Sequence, residues 1–253
     1  MGLAHSPRII TDRLAFLLDA SNSKSYESGS YWYDFMEKVS PNSSSGYGSL
    51  VSGAIHNSNG YWTFDGTNDS VLLLAEFNDL LPEHSDFTMS FWVNFDTLSQ
   101  GGYLIKANTT TSFNLMFAPT YSAGTPSNSG GSDIGGATSN VLGIQMQEGA
   151  PNYTLFYVTT TSDPISANTW HNIVVVVNPS NNVFRIYVDG VEKGRFNSST
   201  CDGVRSLSST TFLSGGTSPY FDGKMATFSL HQKALSTSEI QQNYNALKGR
   251  YGI

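Results

Sequence analysis

The cleanest hydrophobic pattern in the chain runs from Phe87 to Phe95, where Phe87, Met89, Phe91, Val93 and Phe95 alternate with Thr88, Ser90, Trp92 and Asn94. Period two predicts a strand with one face in a core and the other polar. A second segment, Trp170–Val177, carries the unbroken apolar run from Ile173 to Val177. That run predicts a mid-sheet strand covered on both faces. Phe184, Ile186 and Val188 alternate with Arg185 and Tyr187, then Asp189-Gly190 interrupts before Val191 resumes. Asp-Gly accepts the two positive φ values of a type I′ turn, so this stretch predicts a hairpin. Shorter apolar segments bounded by Gly, Ser, Asn and Asp predict strands at Leu14–Leu18, Tyr61–Phe64, Tyr103–Lys106, Ser112–Phe117, Val141–Gln147, Tyr153–Thr159, Thr211–Leu213 and Met225–Leu230. The architecture this implies is all-β, a two-sheet antiparallel jelly-roll sandwich.

The pattern changes period near the C-terminus. Ser236-Thr237-Ser238-Glu239 fits a capping box, and Ile240, Tyr244 and Leu247 then form one stripe before Gly249. A short amphipathic helix over 236–248 follows, packed against the sandwich. Ala118–Asn140 is rich in Gly, Ser, Thr and Ala with Asp133 as its only charge, and reads as one long loop. Neither a shift in composition nor an internal repeat divides the chain. The expectation is a single domain over 1–253, opened by an N-terminal arm at 1–12.

Charged residues are 13% of the chain and the net charge is -7, with Lys and Arg scattered. A nucleic-acid partner is disfavoured, because neutralising phosphates needs a clustered basic footprint. Cys201 is the sole cysteine, which excludes an internal disulfide and a cysteine zinc cage. Met1–Asp12 lacks the basic start and apolar run of a signal peptide, and no segment has the apolar length of a bilayer span. Synthesis in the cytoplasm without membrane insertion is expected. His5, His56, His84, His171 and His231 show no zinc spacing, and no Gly-x-Ser-x-Gly elbow occurs.

Several blocks then stand in a shared order: Phe64-Asp65-Gly66-Thr67-Asn68-Asp69, Phe87-Thr88-Met89-Ser90-Phe91-Trp92-Val93, Asn168-Thr169-Trp170-His171-Asn172-Ile173-Val174, Ile186-Tyr187-Val188-Asp189-Gly190, Phe221-Asp222-Gly223-Lys224-Met225 and Lys233-Ala234-Leu235-Ser236-Thr237-Ser238-Glu239-Ile240. In that order the chain resembles the laminin G-like branch of the concanavalin A-like lectin and glucanase superfamily. The hydrolases of that fold carry Glu-x-Asp-x-x-Glu on one strand. Here Glu148 and Glu192 each lack a carboxylate two residues away, so a non-enzymatic protein is expected. The resemblance places a calcium-binding Asn/Asp pair at Asn68 and Asp69. Further ligands would fall near Ser214–Tyr220, where no carboxylate occurs before Asp222, so the expectation is no cofactor, with calcium as the alternative. Sugar binding needs aromatic faces with amide and carboxylate partners, and Tyr31, Trp32, Tyr33, Tyr61, Trp62, Tyr121 and Tyr220 are the candidates, lying in or beside loops.

The opening Pro7-Arg8-Ile9-Ile10-Thr11-Asp12 before Leu17-Leu18-Asp19-Ala20, and the ending Asn243–Gly252, look like virion structural proteins of tailed phages, cyanophages included. That resemblance implies a virion location, capsid or tail partners and a homo-oligomer. The chain would be a capsid-surface decoration or fibre-type subunit whose lectin-like surface binds host glycans. A free carbohydrate-binding lectin is the alternative.

Overall fold

The protein is described by a computed structural model that covers residues 8–36, 47–73, 79–82, 84–107, 113–120, 132–134, 139–147, 155–160, 164–197, 210–216 and 218–253. In chain order the strands are β1 (Leu14–Asp19), β2 (Tyr31–Tyr33), β3 (Tyr47–Val51), β4 (Ile55–Asn57), β5 (Tyr61–Asp65), β6 (Ser70–Leu73), β7 (Phe87–Phe95), β8 (Gly102–Ala107), β9 (Phe113–Thr120), β10 (Ser132–Ile134), β11 (Ser139–Gln147), β12 (Leu155–Thr159), β13 (Trp170–Asn178), β14 (Val183–Val188), β15 (Val191–Asn197), β16 (Thr211–Leu213) and β17 (Asp222–His231). Helix α1 (Thr237–Leu247) and a 3-10 turn over Lys248–Tyr251 close the chain. One sheet is ordered β10-β15-β14-β13-β7-β17-β5-β4, with β1 sharing the β5 edge of β17. The second is ordered β12-β11-β9-β8-β16-β6-β3-β2. The two antiparallel sheets enclose the core as a jelly-roll sandwich.

The central strands show why the sequence folds this way. Strand β13 lies between β7 and β14, with Ile173, Val175 and Val177 in the core and Val174 and Val176 in a separate cluster on the outer face. Both faces are buried, as the unbroken run predicts. Asp189 and Gly190 take φ of 52° and 77° and close the β14–β15 hairpin. Strand β7 departs from expectation, because Thr88, Trp92 and Asn94 on its second face are buried as well. The covering element comes from far along the chain. Thr88 Oγ1 donates to the Lys233 carbonyl and accepts from the Leu235 amide, each at 2.9 Å. The Trp92 ring stacks on Tyr251 at 4.2 Å and on Tyr244 at 5.8 Å.

Helix α1 forms where its cap places it. The Ser236 side chain accepts from the Glu239 amide and Glu239 reaches back to the Ser236 amide. Leu235 and Ile240 bury against Val174, Val176 and Tyr187. Gly249 does not stop the helix. The chain continues through the 3-10 turn, and Gly252, at φ 75°, supplies the left-handed cap.

The arm runs alongside: the Ile10 amide donates to Asn243 Oδ1 at 2.6 Å and Gln242 Nε2 donates to the Arg8 carbonyl at 2.8 Å, while Asp19 at the end of β1 pairs with Arg250. The stretch 118–140 is not one loop. Strand β9 continues to Thr120, β10 pairs with β15, and β11 opens at Ser139. Ser132-Asp133-Ile134 has no alternation to mark it as a strand, so its pairing with β15 left no trace in the pattern. Cys201 lies outside the described residues.

His231 ties the arm to β17, with Nε2 donating to the Ile10 carbonyl at 3.0 Å. It is 2% exposed, and burial holds its pKa below the ordinary 6.5. As pH falls below 6.5 the unfolded chain takes up this proton before the folded one does. Stability present above that pH is therefore lost on the way down, by about 1.4 kcal/mol for each unit of depression. Asp69 and Asp222, raised by burial, contribute with the opposite sign. Comparing His231→Gln with the parent isolates the histidine. The expected result is a denaturant midpoint that falls less in the variant than in the parent between about pH 8 and 5, the span in which a histidine changes charge.

Candidate functional site

The aromatic residues singled out in the sequence divide by strand alternation. Trp32 and Trp62 are 0% and 1% exposed, with their rings 6.0 Å apart in the core. They offer no face to a sugar, a correction to the expectation placed on them. The reason is that each sits in a strand and not a loop, pointing inward between Tyr31 and Tyr33 or between Tyr61 and Thr63. Tyr31, Tyr33 and Tyr61 consequently face outward, the first two on the second sheet and Tyr61 on the first. Tyr220 is half-buried and bridges to Tyr103 of β8. Tyr121 lies outside the described residues.

Asn68 and Asp69 belong to the turn after β5. Asp69 is buried, its Oδ2 accepts from the Asp65 amide at 3.1 Å, and burial raises its pKa. Asp65 Oδ1 accepts from the Thr67 amide at 2.8 Å and the Asn68 amide at 3.3 Å, bonds that hold its pKa low. These carboxylates close the turn. Among the described residues, no group of three His, Cys, Asp or Glu side chains is arranged to hold a metal ion.

The outer face of the second sheet carries a continuous cross-strand row. Register aligns Tyr31 with Ser49, Ser49 with Leu72, Leu72 with Phe212 and Phe212 with Lys106. Trp32, Val71, Leu73, Leu213, Ile105 and Ala107, their chain neighbours, point into the core. The backbone register continues to Asn114, Gln145 and Tyr157, so the row crosses all eight strands. At ~4.8 Å between strands, its length is about 34 Å.

Tyr31 is 43% exposed with the Tyr33 ring 6.3 Å away, and the Lys106 ammonium lies 4.5 Å from the Tyr103 ring. Partial burial pushes the Lys106 pKa down. Tyr103, Lys106 and Phe212 were not among the sequence candidates. Only cross-strand register brings Lys106 and Phe212 into line with Tyr31, with the Tyr103 ring beside the Lys106 ammonium.

One constellation has the outline of a nucleophile and base. His171 Nδ1 donates to Asp189 Oδ2 at 2.7 Å, and Ser166 Oγ lies 3.2 Å from His171 Nε2. The same Nε2 accepts the Ser166 backbone N–H at 3.0 Å, so its lone pair is already engaged. Asp189 Oδ1 is likewise occupied by the Asn172 amide at 2.8 Å. The imidazole fastens the segment before β13 to the hairpin tip, and the serine hydroxyl gains no free base.

Two antiparallel sheets, a helix on one outer face and a line of aromatic and polar side chains on the other define a lectin-like β-sandwich. The Laminin_G_3 profile, of the concanavalin A-like lectin/glucanases superfamily, matches residues 65–241, and the chain belongs to that superfamily. Among solved structures it is similar to domain 4 of the extracellular arabinanase AbnA from Geobacillus stearothermophilus, in complex with arabinotriose. That match has TM-score 0.57 and 14% identity, covering 92% of this chain and 98% of that one. The binding domain of botulinum neurotoxin DC in complex with SialylT gives TM-score 0.59 and 12% identity over 93% of this chain. The Trypanosoma rangeli sialidase gives TM-score 0.58 and 16% identity over 96% of this chain. The chain spans 52% of the neurotoxin domain and 34% of the sialidase. No curated protein sequence gives a significant match. Among the described residues, no helix is long and apolar enough to cross a membrane.

Proposed function

We propose that the chain is a non-catalytic glycan-binding module on the surface of a tailed-phage virion, a capsid decoration or fibre-type subunit that contacts host glycans. The observation that carries the glycan reading is the row on the second sheet. Tyr31 and Phe212 provide apolar ring faces, and Ser49 and Lys106 provide hydrogen-bonding groups between and beyond them. A saccharide asks for that alternation, because one side of its ring is C–H and its rim is hydroxyl. A domain of the same fold in the arabinanase is in complex with arabinotriose, and the neurotoxin binding domain, 52% of which this chain matches, is in complex with SialylT. The virion reading rests on the two terminal segments that resemble phage structural proteins. These segments dock on each other, through Ile10 with Asn243 and Asp19 with Arg250. Many copies on one particle would turn weak single-site affinity into avidity.

A glycan array probed with and without calcium tests the first part. Tyr31→Ala is expected to weaken the best binder by about tenfold, the loss of one ring contact at the upper end of its usual worth. The melting temperature should stay unchanged, because the ring is exposed. No binder on the array would sink the glycan reading. Mass spectrometry of purified virions tests the second part, and absence of the chain from particles would leave the free lectin in its place.

A further inference from the structure

The outer face of the first sheet is covered by α1 and the tail over β7, β13 and β14, but towards β4 it carries another cross-strand row. Register aligns Ile55 with Thr63, Thr63 with Lys224, Lys224 with Asn94 and Asn94 with Trp170. Ile55 is 69% exposed and Thr63, Lys224 and Trp170 are half-buried. Tyr61 shares this face, and its ring meets Trp170 edge-on at 5.7 Å. Tyr251 closes the far side, 5.0 Å from Trp170. Within the row, Asn94 is 7% exposed and its Oδ1 is buried without a hydrogen-bond partner.

We infer that Tyr61, Trp170, Thr63 and Asn94 form a second saccharide site, for the terminal ring of a neutral sugar. The two aromatic side chains present apolar ring surface to the C–H face of the sugar. Thr63, the Asn94 amide and the Lys224–Asp96 ion pair take its hydroxyls. Charge selects the class of sugar. Lys224 is paired with Asp96, and Asp65 and Asp222 stand together at the same end of β5 and β17, so carboxylates outnumber ammonium groups here. An acidic sugar would be repelled. The site shares only its ligand class with the row on the second sheet; no residue belongs to both.

The chain carries its own reporter. Of the 4 tryptophans, Trp32, Trp62 and Trp92 are at most 1% exposed, which leaves Trp170 as the indole that acrylamide can reach. Acrylamide quenching titrated with arabinotriose, cellotetraose and N-acetylchitotriose is expected to fall by about half at saturation with at least one of them, as a stacked sugar shields one indole face. Tyr61→Ala should raise the half-saturation concentration about tenfold, and Tyr31→Ala should leave it unaltered. Thr63→Lys, a half-buried position on the open face, provides a second blocking variant that leaves the core untouched. Shielding lost in Tyr31→Ala but kept in Tyr61→Ala would overturn the site, as would shielding by sialyllactose in place of the neutral sugars. An array with binders but no shielding of Trp170 would sink this site and spare the row on the second sheet, whereas an empty array with shielding would spare this site and sink the row.

Discussion

Trp92→Ala is expected to lower the free energy of unfolding by about 3–5 kcal/mol, the range for truncating a fully buried tryptophan. The magnitude follows from what covers the ring. Trp92 is 1% exposed although it lies on the outer face of the first sheet. Tyr251 stacks on it at 4.2 Å with 21° between planes, and Tyr244 at 5.8 Å with 8°. Removing the indole leaves a hole under α1 and the tail together, and each stacked pair adds about 0.5–1.5 kcal/mol beyond buried area. The loss should therefore be shared with the tail. Chemical denaturation of Trp92→Ala, Tyr251→Ala and the double variant is expected to give a coupling of roughly 0.5–3 kcal/mol, as for residues in contact. Trp92→Phe should recover part of the loss. A cost near that of a surface substitution, within about 0.5 kcal/mol, would mean the tail is not docked as described.

Trp92 also marks where the sequence stops being readable. Phe87–Phe95 alternates with Trp92 as the one large apolar residue on the second face, and alternation says only that two faces differ. What lies over the second face depends on Tyr244 and Tyr251, whose contact with Trp92 has no local signal. Strand β13 is the contrary case, because Val174 and Val176 are as apolar as their neighbours and so reveal a cover on both sides. The Asp189-Gly190 turn and the Ser236 cap were legible because short-range chemistry determines each.

Trp32 and Trp62 failed as sugar candidates in an instructive way. Strand β2 has only Tyr31, Trp32 and Tyr33, too short to show a period, so Trp32 could not be told from its neighbours. The row through Tyr31, Ser49, Leu72, Phe212 and Lys106 joins strands scattered from β2 to β16. It exists only in register, which hydrophobic patterning does not encode.

Gly223→Ala is expected to be the most damaging change of a single methyl group among the described glycines. Gly223 lies in β17, opposite Phe64 of β5 on one side and Phe95 of β7 on the other. Its φ is 151°, a region that costs any other residue on the order of 1–3 kcal/mol. A Cβ there would also fall 2.2 Å from the Asn94 carbonyl oxygen and 3.1 Å from Phe95 Cα. Both are backbone atoms of a central strand and cannot swing aside as a side chain would. Relief requires β17 to part from β7, where Lys224 meets Asn94 and Asp96.

The expected loss is at least about 3 kcal/mol, or roughly 6–12 °C in melting temperature for a domain of this size. Two other glycines separate the causes. Gly29→Ala, at φ 91° with nothing within 4 Å, should show the backbone strain alone, about 1–2 kcal/mol. Gly249→Ala meets nothing within 4 Å and has no positive φ. It should be neutral or stabilise by up to about 1 kcal/mol through the unfolded chain. Thermal unfolding of the three variants should therefore rank Gly249→Ala above Gly29→Ala above Gly223→Ala. If Gly223→Ala melted with Gly29→Ala, the close approach of β17 to β7 would not be what reserves this position for glycine.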